Sequence, residues 1–180
     1  MVAPSGPRDR LFTVLTTNQK GFVAEQAVIF ECAKLGIPVA RPLADQRYDL
    51  IFDLGDNVLR VQCKWAARVG DVVAVRTRTC RRSRKGLIHR WYEAHEIDAI
   101  AAYCPDTNRC YLLPHELSVE RVMVQLRLEP TRNNQKTGIR WARDYEFGAT
   151  IGRLGAVAQL GEHLHGMQKA RGSSPLRSTS

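Results

Sequence analysis

Residues 48–54, Tyr48-Asp49-Leu50-Ile51-Phe52-Asp53-Leu54, and residues 58–65, Val58-Leu59-Arg60-Val61-Gln62-Cys63-Lys64-Trp65, decide how this chain is read. They are two strands joined at Gly55-Asp56-Asn57, because β-branched and aromatic residues alternate with polar ones around a turn tripeptide. Successive side chains of a strand point to opposite faces, so Asp49, Ile51 and Asp53 share one face and Tyr48, Leu50, Phe52 and Leu54 the other. On the second strand Leu59, Val61, Cys63 and Trp65 form the apolar face, and Arg60, Gln62 and Lys64 the polar one. Paired strands lie about 4.8 Å apart, so a register with Asp49 beside Gln62 gathers a carboxylate, an amide oxygen and an ammonium. A half-buried polar cross-strand pair explains Gln62 and Lys64 equally well when they are taken alone.

Upstream, residues 17–34 carry apolar side chains at helical spacing, with Thr16 or Thr17 to cap the start and Gly36 where a helix end favours glycine. Glu25 is out of place there, since Phe22, Val28, Ile29 and Cys32 stand on its own face. A buried carboxylate needs a cation or a donor opposite it, and a structural ion pair serves as well as a metal. If this helix covers the polar strand face, Glu25 joins Asp49, Gln62 and Lys64. Two carboxylates, an amide oxygen and a main-chain carbonyl then suit a hard divalent cation such as Mg²⁺, and Lys64 can act on a water or a phosphate beside it.

Downstream, residues 37–41 form a short extended run, residues 71–80 a further strand, and Arg81-Arg82-Ser83-Arg84-Lys85-Gly86 a basic turn. Residues 87–95 read as a helix, with Trp91 and Tyr92 in the core. Residues 97–103 and 109–113 read as strands around a turn at Pro105-Asp106-Thr107-Asn108. Residues 119–128 fit helix or strand, residues 131–136 form a polar basic loop, and Trp141 and Tyr145 return to the core. This order predicts an α/β fold, a central mixed β-sheet flanked by helices. Residues 1–15 read as a loose arm, 16–148 as the folded domain and 149–180 as a disordered tail.

The composition agrees with a single domain that binds a polyanion: 180 residues, 44% hydrophobic, with 27 Lys and Arg against 18 Asp and Glu, a formal net charge of +9. Ribosomal proteins share such a charge, so a structural RNA-binding protein stands as one alternative. No apolar run is long enough to span a membrane, and Met1 to Arg10 lacks a signal-peptide core, which predicts a cytoplasmic protein. Cys32, Cys63, Cys80, Cys104 and Cys110 form no C-x-x-C pair and read as reduced core residues. His89, His95, His115, His163 and His165 make no metalloprotease or zinc-finger spacing, and no phosphate-binding glycine loop is present.

The residues Gly21-x-x-x-Glu25, Pro42-Leu43, Tyr48-Asp49-Leu50 and Val61-Gln62-Cys63-Lys64 resemble the PD-(D/E)XK nucleases, in particular the small endonucleases associated with group I introns. The likeness continues through Glu96-Ile97-Asp98, Tyr103-x-Pro105, Tyr111-x-x-Pro114 and residues 126–130 to 138–142, and covers most of the chain. It implies a metal-dependent DNA endonuclease, possessing Glu25, Asp49, Gln62 and Lys64 as catalytic residues. Asp49, Gln62, Glu25 and the Cys63 carbonyl would hold Mg²⁺ or Mn²⁺. Gln62 stands where most of the superfamily has an acid, which removes one negative charge from the metal site and leaves a catalytically inactive DNA-binding relic as the second reading. The resemblance also implies a double-stranded DNA substrate, a homo-oligomer (dimer or tetramer) and a homing or mobile-element role.

DNA contacts are expected from Arg81, Arg82, Arg84, Lys85, Arg132, Lys136, Arg140 and Arg143 through phosphate neutralisation, with a solvated basic surface as the plain alternative. Asn133, Asn134 and Gln135 carry amides suited to base edges. Residues 155–163 and 172–179 resemble the peptides obtained when a tRNA gene is read in frame, Gly-Ser-Ser-Pro being the translation of T-arm text. On that reading the tail is selected as RNA, not as protein, and is a poor place to seek residues with a protein role.

Overall fold

Thr16 opens the long helix α1, Thr17–Lys34, through a reciprocal cap: its side chain accepts from the Gln19 N–H, and the Gln19 side chain accepts from the Thr16 N–H. The helix ends at Gly36, whose φ of +69° lets the chain turn back so that the Ile37 N–H reaches the Cys32 carbonyl at 3.0 Å. The computed structural model describes residues 15–84, 86–130 and 137–154, and of residues 80–83 the backbone alone. The expected arm (but for residue 15), the basic loop 131–136, Lys85 and the tRNA-like peptides lie outside the described residues.

The strands are β1 Val39–Ala40, β2 Leu50–Asp53, β3 Val58–Trp65, β4 Ala67–Val69, β5 Val72–Arg76, β6 Thr79–Ser83, β7 Gly86–Arg90, β8 Ala99–Cys104, β9 Arg109–Pro114 and β10 Met123–Arg127. A central sheet runs β1-β2-β3-β8-β9, a three-stranded sheet β10-β5-β4, and β6 and β7 form a separate hairpin. The central sheet is mixed: β3 and β8 are parallel and its other pairs antiparallel. The chain therefore folds as the α/β class read from the sequence.

The central sheet is covered on both faces at β8 and β9 and on one face at β2 and β3. One face meets α1 and a helix at residues 147–154 through Val28, Cys32, Leu50, Phe52, Val61, Cys63, Phe147 and Ile151. The other meets the three-stranded sheet through Tyr92, Ile100, Ala102, Leu113, Val124 and Leu126. A strand buried on both faces carries no alternation, which is why β8 is a continuous run of small and apolar residues. The parallel pair is pinned at its start by Arg60, which donates to both Asp98 carboxylate oxygens at 3.0 and 2.8 Å while its N–H reaches Asp98 Oδ2 at 2.7 Å.

Several expectations fail. Residues 87–95 are not a helix: β7 pairs with β6 across Gly86, whose φ of +118° makes the turn, and pairing overrides a helical spacing with nothing to pack against. The expected strand 71–80 is two strands in different sheets, and residues 81–83 of the expected basic turn belong to β6. Residues 123–127 of the ambiguous 119–128 stretch settle as β10, because β5 offers a partner. Phe22 is 59% exposed, and the buried stripe of α1 is Ala24, Val28 and Cys32. The helix at residues 147–154 places Ile151 in the core. Tyr92 is buried, but Trp91 is partly exposed, with the Arg78 guanidinium 5.9 Å from its ring.

Cys32, Cys63, Cys104 and Cys110 are free and buried. Burial raises the Cys32 and Cys110 thiols to about 12, so they stay protonated and serve as packing residues. Among the described residues no helix is long and apolar enough to cross a membrane.

Candidate active site

The strand register decides the site. Leu50 stands opposite Val61, and the Asp49 N–H donates to the Val61 carbonyl at 2.9 Å, so Asp49 falls beside Gln62 at the open end of β2. The Asp49 Oδ2 accepts the Cys63 N–H at 2.7 Å and the Gln62 amide. That amide nitrogen also approaches the Cys63 carbonyl at 3.2 Å. Half a turn of the amide group would present its oxygen to the same place.

Glu25 reaches this end of the sheet from α1, though not in the manner the sequence suggests. The helix covers the Val61 and Cys63 face, while Lys64 lies against Tyr92 on the opposite face. Glu25 therefore meets Asp49 around the sheet's end, and its immediate partner is Arg41, with Arg41 Nη1 3.0 Å from Glu25 Oε2. The cation that a half-buried glutamate requires is thus supplied, in part, by the protein itself.

Burial first, and the Asp49 charge next, raise the Glu25 carboxyl above its ordinary range. Burial also raises Asp49, against the stabilising Cys63 N–H, the Lys64 charge and the Gln62 amide. Two carboxylates that repel one another in a partly dry site favour an added cation. Among the described residues no group of three or more His, Cys, Asp and Glu side chains could hold a metal. Two carboxylates, the Cys63 carbonyl and, after that half turn, the Gln62 amide oxygen could together serve a hard ion that keeps several waters, and such a set would fit zinc or copper poorly.

Burial lowers the Lys64 ammonium, the Asp49 charge opposes this, and Arg47 adds to it. The Lys64 Nζ contacts the Tyr92 hydroxyl at 2.8 Å. The Arg47 guanidinium lies 4.6 Å from the Tyr92 ring centre and its Nε 3.3 Å from buried Glu96. Arg41, Arg47 and Tyr92 escaped the sequence reading. Arg41 and Arg47 sit in a loop without periodicity, and Tyr92 in the segment misread as helix, so only the fold brings them to the site.

Of the expected DNA-contacting residues, Arg84 is exposed at the tip of the β6–β7 hairpin, Arg143 is exposed with its guanidinium 5.2 Å from the Trp141 ring centre, and Arg140 is half-buried. The Arg81 and Arg82 side chains, Lys85, Arg132, Asn133, Asn134, Gln135 and Lys136 lie outside what is described. The hairpin backbone places residues 81 and 82 on a ribbon whose second strand is exposed throughout.

Comparison with known proteins agrees with this geometry. No curated protein matches the chain. Among solved structures, a bacterial homing endonuclease, I-Ssp6803I, superposes with a TM-score of 0.64 at 23% identity, over 83% of this chain and 97% of the other. The family profile of PD-(D/E)XK endonucleases matches residues 15–148. Because that match spans the helix, both strands of the site and the rest of the central sheet, the chain belongs to the PD-(D/E)XK endonuclease family.

Proposed function

We propose that this protein is a divalent-metal-dependent endonuclease that hydrolyses phosphodiester bonds in double-stranded DNA. The observation that carries the reading is the placement of Asp49 and Gln62 in contact, with Glu25 and Lys64 within electrostatic reach of Asp49, on two consecutive strands and the helix before them. Asp49, Glu25, the Gln62 amide oxygen and the Cys63 carbonyl would hold Mg²⁺ or Mn²⁺. Such an ion supplies Lewis acidity and a water of lowered pKa. The Cys63 N–H fixes the Asp49 carboxylate in the direction the site needs. Lys64, partly desolvated, either places positive charge against the phosphate or takes a proton from water, and Lys64→Arg separates these roles by keeping the charge and losing the base. Exposed Arg84 and Arg143 would neutralise flanking phosphates.

A homing or mobile-element role, action as a homo-oligomer and a cytoplasmic location belong to the same proposal. The fold's likeness to a bacterial homing endonuclease and the tRNA-like peptides support the first. Symmetric cutting of two strands supports the second.

Cleavage of supercoiled plasmid with random and tRNA-gene inserts tests the proposal, in Mg²⁺, Mn²⁺ or EDTA. Wild type should nick or linearise in metal, and Asp49→Ala and Lys64→Ala should each lose on the order of 10²-fold or more in rate. Cleavage that persists in EDTA, or in both variants, refutes the mechanism. Gln62 in place of an acid favours one second reading, a DNA-binding protein of the same fold without activity. Salt-dependent binding without cutting on every insert would select it.

A further inference from the structure

We propose that Tyr92 is a positioning residue for Lys64: its hydroxyl holds the lysine ammonium at the end of β3, and its ring is itself held by an arginine that a buried glutamate anchors. This rests on the reading of Lys64 given above and adds a residue that no motif names.

A lysine on a flexible four-carbon stem reaches one place reliably only when its ammonium is tied down. Here the tie is the Tyr92 hydroxyl at 2.8 Å, with Nζ also 5.2 Å from the centre of the ring. Tyr92 is 5% exposed, so its hydroxyl needs a partner inside the protein, and that partner is Lys64.

The tyrosine is fixed from several sides. The Arg47 guanidinium stacks 4.6 Å from its ring centre, and Arg47 is anchored by the Glu96 carboxylate and, at 3.2 Å, by the Trp91 carbonyl. Glu96 is buried and also binds Arg90 and, at 3.2 Å, the Glu93 N–H. A ring nitrogen of buried His115 lies 2.9 Å from the Tyr92 carbonyl. Phenylalanine would keep the ring contact with Arg47 and the main-chain contact with His115, so these fix the ring, and the hydroxyl is what distinguishes tyrosine here. What the hydroxyl adds is a fixed address for the ammonium.

Tyr92→Phe removes the hydroxyl and leaves the ring under Arg47. The expected result is a loss of about tenfold in the single-turnover cleavage rate, the worth of one charge-assisted hydrogen bond, with DNA affinity unchanged, a modest fall in thermal midpoint and the protein still folded at the assay temperature. Acetylation of Lys64 by acetic anhydride, followed by mass spectrometry of the folded protein, should rise several-fold as the ammonium is released. An unchanged rate, or a fall in rate explained by lost affinity or by unfolding at the assay temperature, overturns the proposal. If wild type cuts no DNA, the labelling decides alone: unchanged Lys64 acetylation refutes the positioning role. Raised acetylation upholds it and assigns the failure to the nuclease reading.

Discussion

The β2–β3 pair and the β6–β7 hairpin are both antiparallel ribbons, yet they differ in what lies on their faces. Leu50, Phe52, Leu59 and Val61 enter a core between α1 and the sheet, whereas every residue of β7 is exposed. A strand with one covered face must alternate, and the alternation fixes its register, since a slip of one residue would turn Phe52 to the opposite face. A strand exposed on both faces, as β7 is, is under no such constraint. Its sequence is free to be chosen for charge, and it leaves a helix-like spacing by accident.

The largest effect that sharpens this contrast is a matched pair of truncations. Phe52→Ala, which empties a fully buried site facing the Phe147 ring, should cost about 3–5 kcal/mol. Leu87→Ala, at a position 63% exposed on the hairpin, should change stability by no more than about 0.5 kcal/mol. Urea unfolding of both variants checks the pair, and equal losses would break the distinction.

A smaller effect concerns how the central sheet is locked. Asp98→Asn should destabilise by about 1–2 kcal/mol at neutral pH, because Arg60 loses its carboxylate partner. Burial alone would raise the Asp98 carboxyl, but the Arg60 hydrogen bonds and charge together outweigh it and hold it below its ordinary value of 3.8. A carboxyl depressed by folding contributes stability that is complete above that value and is lost as pH falls through the lower, folded one. The gap between wild type and Asp98→Asn should therefore be constant from neutral pH down to about 4, then close in stronger acid. Thermal midpoints across that range measure it, and a gap that widened in acid would refute the assignment.

The smallest effect falls on the hairpin. Arg84→Ala should leave the thermal midpoint in place, weaken DNA binding a few-fold, and reduce the salt dependence of log Kd by about one unit of slope. An unaltered slope would make the hairpin tip a solvated surface and nothing more.

The same contrast governs how much of the site could be read in advance. Asp49, Gln62 and Lys64 stand on strands whose period is imposed by a covered face, so their meeting followed from spacing and one register. Glu25 stood out as a charge on an amphipathic helix, although the helix turned out to cover the other strand face and to pair Glu25 with Arg41. Arg41, Arg47 and Tyr92 carried no such signal. Two lie in an aperiodic loop, and the third follows the wet hairpin, where local spacing pointed to the wrong element.

By itself the sequence determined the α/β class, the capped first helix, the strand pair at the centre and the polar groups that its register brings together. These depend on local periodicity, turn residues and a motif whose members are close along the chain. The tertiary structure alone decided which sheet face α1 covers, how residues 72–90 divide between two sheets, and which arginines and which tyrosine surround the acidic pair. Those outcomes depend on contacts between segments distant in sequence, and a chain read one window at a time does not contain them.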